Sequence, residues 1–511
     1  MEKGSLVRLT IEDMSADGQG IGKADGFAVF VRGALPGDVV MAELTKVKKS
    51  YGLARVRELL EPSSARREAF CPYFRQCGGC AYQELAYESQ LELKRKQVSD
   101  KLRRLGGLAD PRVQKTIGMD AGPDAGMKTG LNERGQEKAA GPVQYRNKAV
   151  MAVSTGGLVT KKGGIVVPVY EPRVGFFQAK SHEVVDCSSC ALQAPPAMAA
   201  ADALRRFMRE DNITSYDERW DKGLMKHMIV RTAFGTGQVM VILVINGRGI
   251  PNLEKLVRLL DEAIYALPPE TDGPLAGVEF SLESVVINVN KGKTSAVLGE
   301  ECITVAGAPV ITESLGGLSF EISPLSFYQV NPRQMLKLYD KVLEYASLRG
   351  EETVLDLYCG VGSIGLFCAD QMRRQGGSGR VVGIESVRQA VLDANRNAVI
   401  NGIVNATYIC GRAEEELPKL TDLKAAVAIL DPPRAGCRPE LLKAVAQAAV
   451  PRLIYVSCDA ATMARDIREL CALGYIFEEA TPVDMFPWTG GIEVVAKLSY
   501  EMKGDEHHAE G

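Results

Sequence analysis

Across residues 1–62 apolar and polar positions alternate in short runs, LVRLTI, FAVFV, DVVMAEL and GLARVREL, separated by Gly, Pro and Asp. Period-two alternation marks half-buried strands, and several short runs between turn residues predict a small antiparallel β-barrel. After Pro62-Ser63-Ser64 the period changes. YESQLELKRKQVSDKLRRL sets Leu91, Val98, Leu102 and Leu105 near helical spacing with cations between them, which predicts an amphipathic basic helix. Residues 119–142 are rich in Gly and polar residues without periodicity, and read as a flexible insertion of no assigned function. From Tyr145 to about Asn290 strands recur, and MIVRTAF and VMVILVI form a hairpin whose turn is Gly235–Gln238, so residues 63–308 are expected to be an α+β domain. From residue 309 to 511 strands and helices alternate. The runs VAIL and LIYV, apolar without alternation, suit parallel strands covered on both faces, and predict a doubly wound α/β domain.

With 511 residues the chain exceeds a single core, in keeping with about three domains of roughly 150 residues. A content of 46% hydrophobic and 24% charged residues belongs to a soluble globular protein and excludes disordered and fibrous classes. The first residues lack an apolar leader and no run is long enough to cross a bilayer, so a cytoplasmic protein with no membrane partner is expected. The net charge of −3 argues against one large electropositive surface but leaves room for a local nucleic-acid footprint, and basic residues outnumber acids between Arg66 and Lys115. The run Lys46, Lys48, Lys49 reads as a solvated turn. Twelve cysteines in a cytosolic chain point to metal or catalytic chemistry rather than disulfides.

DLYCGVGSIG follows a predicted strand and opens a predicted helix, with Gly360, Gly362 and Gly365 at dinucleotide-fold spacing and Glu385 ending the next strand. Glycines let the backbone turn tightly against a ligand, and the acid can grip a ribose diol. With Asp356 at the first strand end, the motif fits a dinucleotide and S-adenosylmethionine equally well. LDPPRAGC separates them. Asp431 and its two prolines form a rigid lip at the carboxyl edge of the sheet, where a methylase faces cofactor and acceptor base. In YVSCDAATMARDI, Cys458 ends another buried strand at the same edge, and a thiolate near a helix start is activated. Cys359, Cys368, Cys410 and Cys471 read instead as buried structural cysteines. Methylation at C5 of uracil needs a nucleophile, because C5 becomes reactive only once C6 has been attacked, and it needs a base to take the C5 proton; Glu493 at the start of the last strand is the candidate base.

A further group, Cys71-x5-Cys77-x2-Cys80, has close ligand spacing, with Cys187 and Cys190 as candidate fourth ligands. Spacing alone leaves zinc and an iron–sulfur cluster both open.

In combination, CPYFRQCGGCAYQ, SFYQVN, DLYCGVGSIGL, LDPPRAGC, YVSCDAATMARD and DMFPWTGGIE give nearly the whole chain outside 119–142 a resemblance to the TRAM-domain-bearing RNA (uracil-C5)-methyltransferases, in particular the bacterial 23S ribosomal RNA enzymes. The resemblance implies an N-terminal TRAM barrel that binds RNA, a central domain that helps bind RNA and holds a [4Fe-4S] cluster on Cys71, Cys77, Cys80 and Cys190, and a C-terminal class I methyltransferase domain. It further implies S-adenosylmethionine contacts at Gln329, Tyr358, Glu385 and Asp431, with Cys458 as nucleophile and Glu493 as base. The implied partner is RNA, most directly 23S rRNA, with no obligate protein partner. Two positions depart from the family: Asp459-Ala460 stands where Asn-Pro is common, and Gly490-Gly491 where a histidine precedes the base. Other readings are a transfer-RNA enzyme, an amino-methylase, and a non-catalytic RNA-binding assembly factor with a relict methylase domain. Arg434, in place of an aromatic after the prolines, speaks against the amino-methylase; retention of Cys458 and Glu493 speaks against the relict.

Overall fold

The computed structural model describes residues 1–119, 141–160, 166–218, 220–269, 275–293, 296–420 and 423–500. The insertion expected over 119–142 therefore lies almost wholly outside the described residues. The chain forms two compact units, the first comprising Met1–Gln90, Asp120–Pro332 and Pro487–Gly490, the second Leu91–Met119, Arg333–Phe486 and Gly491–Gly511.

The first unit opens with a closed barrel of β1 (Leu6–Met14), β2 (Gln19–Ala24), β3 (Phe27–Arg32), β4 (Val39–Val47) and β5 (Tyr51–Glu61), in the order β1-β2-β3-β5-β4. Leu9, Ile11, Val29, Val31, Val40 and Leu44 fill it. Two features differ from the sequence expectation. Strand β5 runs parallel to β3 while pairing antiparallel with β4. Strand β2 gives no hydrophobic signal because it carries Gly20 and Gly22; a Cβ on Gly20 would lie 2.7 Å from the Ala34 carbonyl oxygen, so only glycine fits.

Helix α1 (Tyr87–Arg104) begins in the first unit and continues in the second. Its buried stripe differs from the expected one: Leu93, Val98 and Leu102 are buried but Leu105, beyond the helix end, is exposed. Lys94, one of the cations of this basic helix, is fully buried in an ion pair 2.6 Å from Asp484.

The rest of the first unit is a seven-stranded sheet in the order β12-β11-β10-β9-β6-β7-β8, built from β6 (Lys148–Thr160), β7 (Val166–Phe177), β8 (Val184–Asp186), β9 (Met225–Thr232), β10 (Gln238–Ile245), β11 (Ser281–Val289) and β12 (Glu301–Gly307). Helices α2 (Pro195–Asp211) and α3 (Leu253–Tyr265) pack on one face through Leu204, Phe207, Leu256 and Leu260. The expected hairpin is β9–β10, and its turn is held by buried Glu313, which accepts from the Phe234 and Gly235 amides at 2.8 and 2.6 Å. Glu313 belongs to a small hairpin, β13 (Ile311–Leu315) with β14 (Leu318–Ile322).

In the second unit α4 (Pro332–Ala346) leads into β15 (Thr353–Leu357), α5 (Ser363–Arg374), β16 (Arg380–Glu385), α6 (Arg388–Ile400), β17 (Ala406–Cys410), α7 (Ala413–Glu416), β18 (Val427–Leu430), α8 (Pro439–Gln447), β19 (Arg452–Ser457), α9 (Ala460–Ala472), β20 (Tyr475–Val483) and β21 (Glu493–Tyr500). The sheet order is β17-β16-β15-β18-β19-β21-β20; the first five strands are parallel and β21 is antiparallel to both neighbours. The doubly wound expectation holds, with β17 and β20 as strands the sequence reading did not separate. Among the described residues no helix is long and apolar enough to cross a membrane.

Candidate active site

Because β16, β15, β18, β19 and β21 are consecutive in the sheet, their ends form one edge. The first four contribute carboxyl ends, and antiparallel β21 brings its amino end to the same edge, with Val494 opposite Ser457. Glu385, Asp356, Asp431, Cys458 and Glu493 follow in that order along it.

The cofactor half is acidic. In the loop after β15, Tyr358, Gly360 and Gly362 all have positive φ, at 65°, 54° and 77°, a backbone conformation unusual for a tyrosine. Glu385 accepts from the Gly360 amide at 3.2 Å and the Val387 amide at 2.8 Å, which sets the loop against the end of β16. Asp356 accepts from the Gly365 amide at 2.9 Å, while its second oxygen is buried without a hydrogen-bond partner. Burial, followed by the charges of Asp431 and Glu385, raises Asp356 to about 7, and burial raises Asp431 to about 6. Three carboxyls thus crowd one another at the glycine loop. The α-ammonium and sulfonium of S-adenosylmethionine would relieve this crowding, whereas the pyrophosphate of a dinucleotide would be repelled. A cavity of about 530 Å³ opens beside the loop, lined by Tyr358, Ser386, Gly411 and Pro433 among others, within the range of small-molecule sites. Gln329 lies in the first unit, buried, with its backbone carbonyl accepting from Asn147 at 3.0 Å.

The reacting half brings Cys458, Glu493, Asp431 and Arg434 together. Glu493 is buried, and its carboxyl is held well above the ordinary carboxylate range, first by burial and then by Asp431, with Arg434 pulling it back. The Cys458 thiol is raised by burial and by Glu493, and lowered by the charge and hydrogen bond of Arg434. The sequence reading places the start of α9 beside this thiol. Asp459 caps α9, accepting from the Ala461 and Thr462 amides at 2.8 and 3.2 Å, so the helix end is already met by a carboxylate, and Arg434 is the group whose charge lowers the thiol. Sequence reasoning used Arg434 only as a mismatch to another class; its place directly after Asp-Pro-Pro on the strand edge is the signal that would have found it.

The same cap shows that Asp459 serves where the family commonly has Asn. Gly490 has a steric cause: a Cβ there would lie 2.3 Å from the Ala16 carbonyl oxygen in the turn between β1 and β2, leaving no room for a histidine. The neighbouring Trp488 was also missed. Its ring is buried against Phe70, its indole N–H donates to the Pro142 carbonyl at 2.6 Å, and its carbonyl accepts from the Ala81 and Tyr82 amides.

Those amides follow the first cysteine group. Tyr73 and Ser188, whose side-chain oxygens are 2.8 Å apart, join the two cysteine segments. Burial raises Cys71 and Cys190 and pushes Cys80 up to about 12, and each of the six pairs among Cys71, Cys77, Cys80 and Cys190 is close enough for one charge to disfavour the other. Cys187 is hydrogen-bonded to Cys77, interacts with Cys190, and donates to the Val185 carbonyl at 3.4 Å. Among the described residues no three His, Cys, Asp or Glu side chains are arranged to hold a single metal ion. Of the cysteines read as structural, Cys359 and Cys368 are buried, but Cys410, the last residue of β17, is exposed, and Cys471, in the last turn of α9, is only half-buried.

A glycine loop, an acidic cofactor cradle and a doubly wound sheet with one antiparallel insertion define a class I, S-adenosylmethionine-dependent methyltransferase. Residues 1–56 match the TRAM domain family and residues 317–500 the tRNA (Uracil-5-)-methyltransferase family. The chain is 39% identical over 98% of both lengths to an RNA methyltransferase of Halalkalibacterium halodurans, and 39% identical to one of Caldanaerobacter subterraneus, over 96% of this chain and 98% of that protein. The crystal structure of Pyrococcus abyssi tRNA (uracil-54, C5)-methyltransferase in complex with S-adenosyl-L-homocysteine superimposes with a TM-score of 0.68 at 27% identity, covering 96% of this chain and 99% of that one. The chain belongs to the TRAM-bearing RNA (uracil-5-)-methyltransferase family.

Proposed function

We propose that the enzyme methylates C5 of a uridine in 23S ribosomal RNA through a covalent bond between Cys458 and C6. The observation that carries this reading is the meeting of Cys458, Glu493 and Arg434 beside the acidic cradle, since C5 methylation requires a nucleophile and a base at one edge. Arg434 favours the Cys458 thiolate, which adds to C6 and leaves the electron pair on an enolate that makes C5 nucleophilic. S-adenosylmethionine, when bound, supplies the methyl group as an electrophile. Glu385 and Asp431 would orient it, with Tyr358 on the cavity wall and Gln329 as a further contact. Glu493 then takes the C5 proton, the double bond re-forms, and Cys458 leaves as thiolate. The uridine must leave its stack to reach this edge.

Ionised, these four thiols would repel one another, which suits a cationic centre. As the family resemblance implies, Cys71, Cys77, Cys80 and Cys190 would hold a [4Fe-4S] cluster, which would fold their segments together. Transfer RNA is the second substrate reading, favoured by the nearly full-length match to the Pyrococcus enzyme. Mass-spectrometric mapping of 5-methyluridine in ribosomal and transfer RNA, from cells with and without the gene, decides. Loss from 23S rRNA supports the proposal, loss from tRNA replaces its substrate, and no loss refutes it.

A further inference from the structure

The segment YVSCDAATMARDI carries two charged residues that the reaction scheme leaves unused, Arg465 and Asp466, both on α9, the helix that follows Cys458. Asp466 is 1% exposed, and a carboxylate that deep is costly unless donors meet its oxygens. The Tyr455 hydroxyl on β19 and the Cys437 amide donate to one oxygen at 2.6 and 2.7 Å; Arg465 donates to the other through Nε at 2.8 Å and Nη2 at 2.6 Å. The same Nη2 reaches the Ala435 carbonyl at 2.9 Å. These bonds close on a tight turn. The Gly436 amide donates to the Pro433 carbonyl at 2.8 Å, which makes Arg434 and Ala435 the central residues of a β-turn. Gly436 has a φ of 80°, and a Cβ there would lie 2.6 Å from the Asp466 carboxylate, so the turn sits directly on α9. Arg434 itself is exposed, and the reach of an exposed side chain is set first by where its backbone stands. That backbone is fastened at Ala435 by Arg465 and at Cys437 by Asp466. Tyr455 carries the tie to β19, three residues before Cys458, and Asp459, the cap of α9, follows Cys458 directly. One carboxylate therefore joins the turn bearing Arg434 to the strand and the helix between which the thiol sits.

We infer that Asp466, with Arg465, is a positioning residue that holds Arg434 against the Cys458 thiol. The inference rests on the reading of Cys458 as the nucleophile. Packing alone would need neither charge, because apolar residues of similar volume are often as stable as a buried ion pair, whereas hydrogen bonds to two backbone groups fix the turn in place. The groups that act on Cys458 are Glu493 on β21, and Asp431 and Arg434 in the loop after β18; of these, Arg434 favours the thiolate and the two acids oppose it. Letting Arg434 move away therefore raises the thiol and slows attack at neutral pH.

The test uses the full-length enzyme and reads the thiol directly, as the pH dependence of Cys458 alkylation by iodoacetamide, followed by mass spectrometry of its peptide. In Asp466→Asn the limb should move up by about one pH unit, slowing alkylation at neutral pH about ten-fold, the lower end of what a nearby opposite charge is worth. The direction separates positioning from charge, because loss of a carboxylate by itself would ease the thiolate and move the limb down. Arg465→Gln, a change at a half-buried side chain, should move the limb up as well, and serves if Asp466→Asn does not fold. In an Arg434→Gln background neither change should move the limb further, since the effect passes through Arg434. Cys410, exposed on the edge strand β17, is the internal control and should keep its own profile. A limb that stays or moves down in folded Asp466→Asn would overturn the inference, as would a shift of undiminished size in the Arg434→Gln background. Formation of 5-methyluridine on ribosomal and transfer RNA from cells lacking the gene is measured in parallel. If wild type forms none, the functional reading fails instead, while alkylation still reports whether Asp466 holds Arg434 in place.

Discussion

Replacing Lys94 by Met tests how the loop leading to Glu493 is held. Lys94 and Asp484 are both fully buried, 2.6 Å apart, and Lys94 also donates to the Phe486 carbonyl at 3.2 Å. Lys94→Met leaves the Asp484 carboxylate buried without its counter-charge, a loss of about 3–5 kcal/mol. At about 2–4 °C per kcal/mol for a unit of this size, the second unit should unfold roughly 6–20 °C lower. The Lys94→Met/Asp484→Leu variant removes both charges and should recover most of that loss, because an apolar pair of similar volume is often as stable as a buried ion pair. Asp484 directly follows Val483, the register partner of Glu493, so the single variant should also lower kcat more than it changes affinity for S-adenosylmethionine. Calorimetry with single-turnover methyl transfer reads both effects. A single variant within about 1 kcal/mol of wild type, or a double variant less stable than the single, would refute the reasoning.

Cys458→Ala should abolish methylation while retaining S-adenosylmethionine binding, and RNA with 5-fluorouridine at the target should trap wild type as a covalent adduct; appreciable turnover by the alanine variant would end the covalent mechanism. In Glu493→Gln attack and methyl transfer should proceed and elimination stall, so a gel should show methyl-labelled RNA bound to protein, unless normal product release reveals the carboxylate as structural. Because burial raises both Cys458 and Glu493, and both act deprotonated, activity should rise with pH through their raised values. Arg434→Gln removes the charge that lowers both and should move that limb to higher pH; an unmoved limb would exclude Arg434 from their activation. Anaerobically purified protein should be brown and contain iron and sulfide, with Cys190→Ser losing the colour and Cys187→Ser keeping it; the reverse result exchanges the fourth ligand.

What the sequence determined by itself is what contiguous residues encode. The barrel's alternating runs, the hairpin around Gly235, the glycine loop after β15 and the apolar strands ending at Asp431 and Cys458 each follow from a local period or a backbone requirement. Tertiary structure decided the partners. Periodicity tells which side of a strand is covered but not which strand lies beside it, so the parallel pairing of β3 with β5 and the antiparallel setting of β21 against β19, which brings Glu493 to Cys458, were not legible in the local pattern. Nor does a lysine in a basic helix disclose a counter-ion 390 residues away: Lys94 reads as one cation among several, and only the fold buries it on Asp484. The same limit applies to Arg434, because electrostatic interaction depends on distance through space and on burial, and the chain brings those groups together only when it has folded.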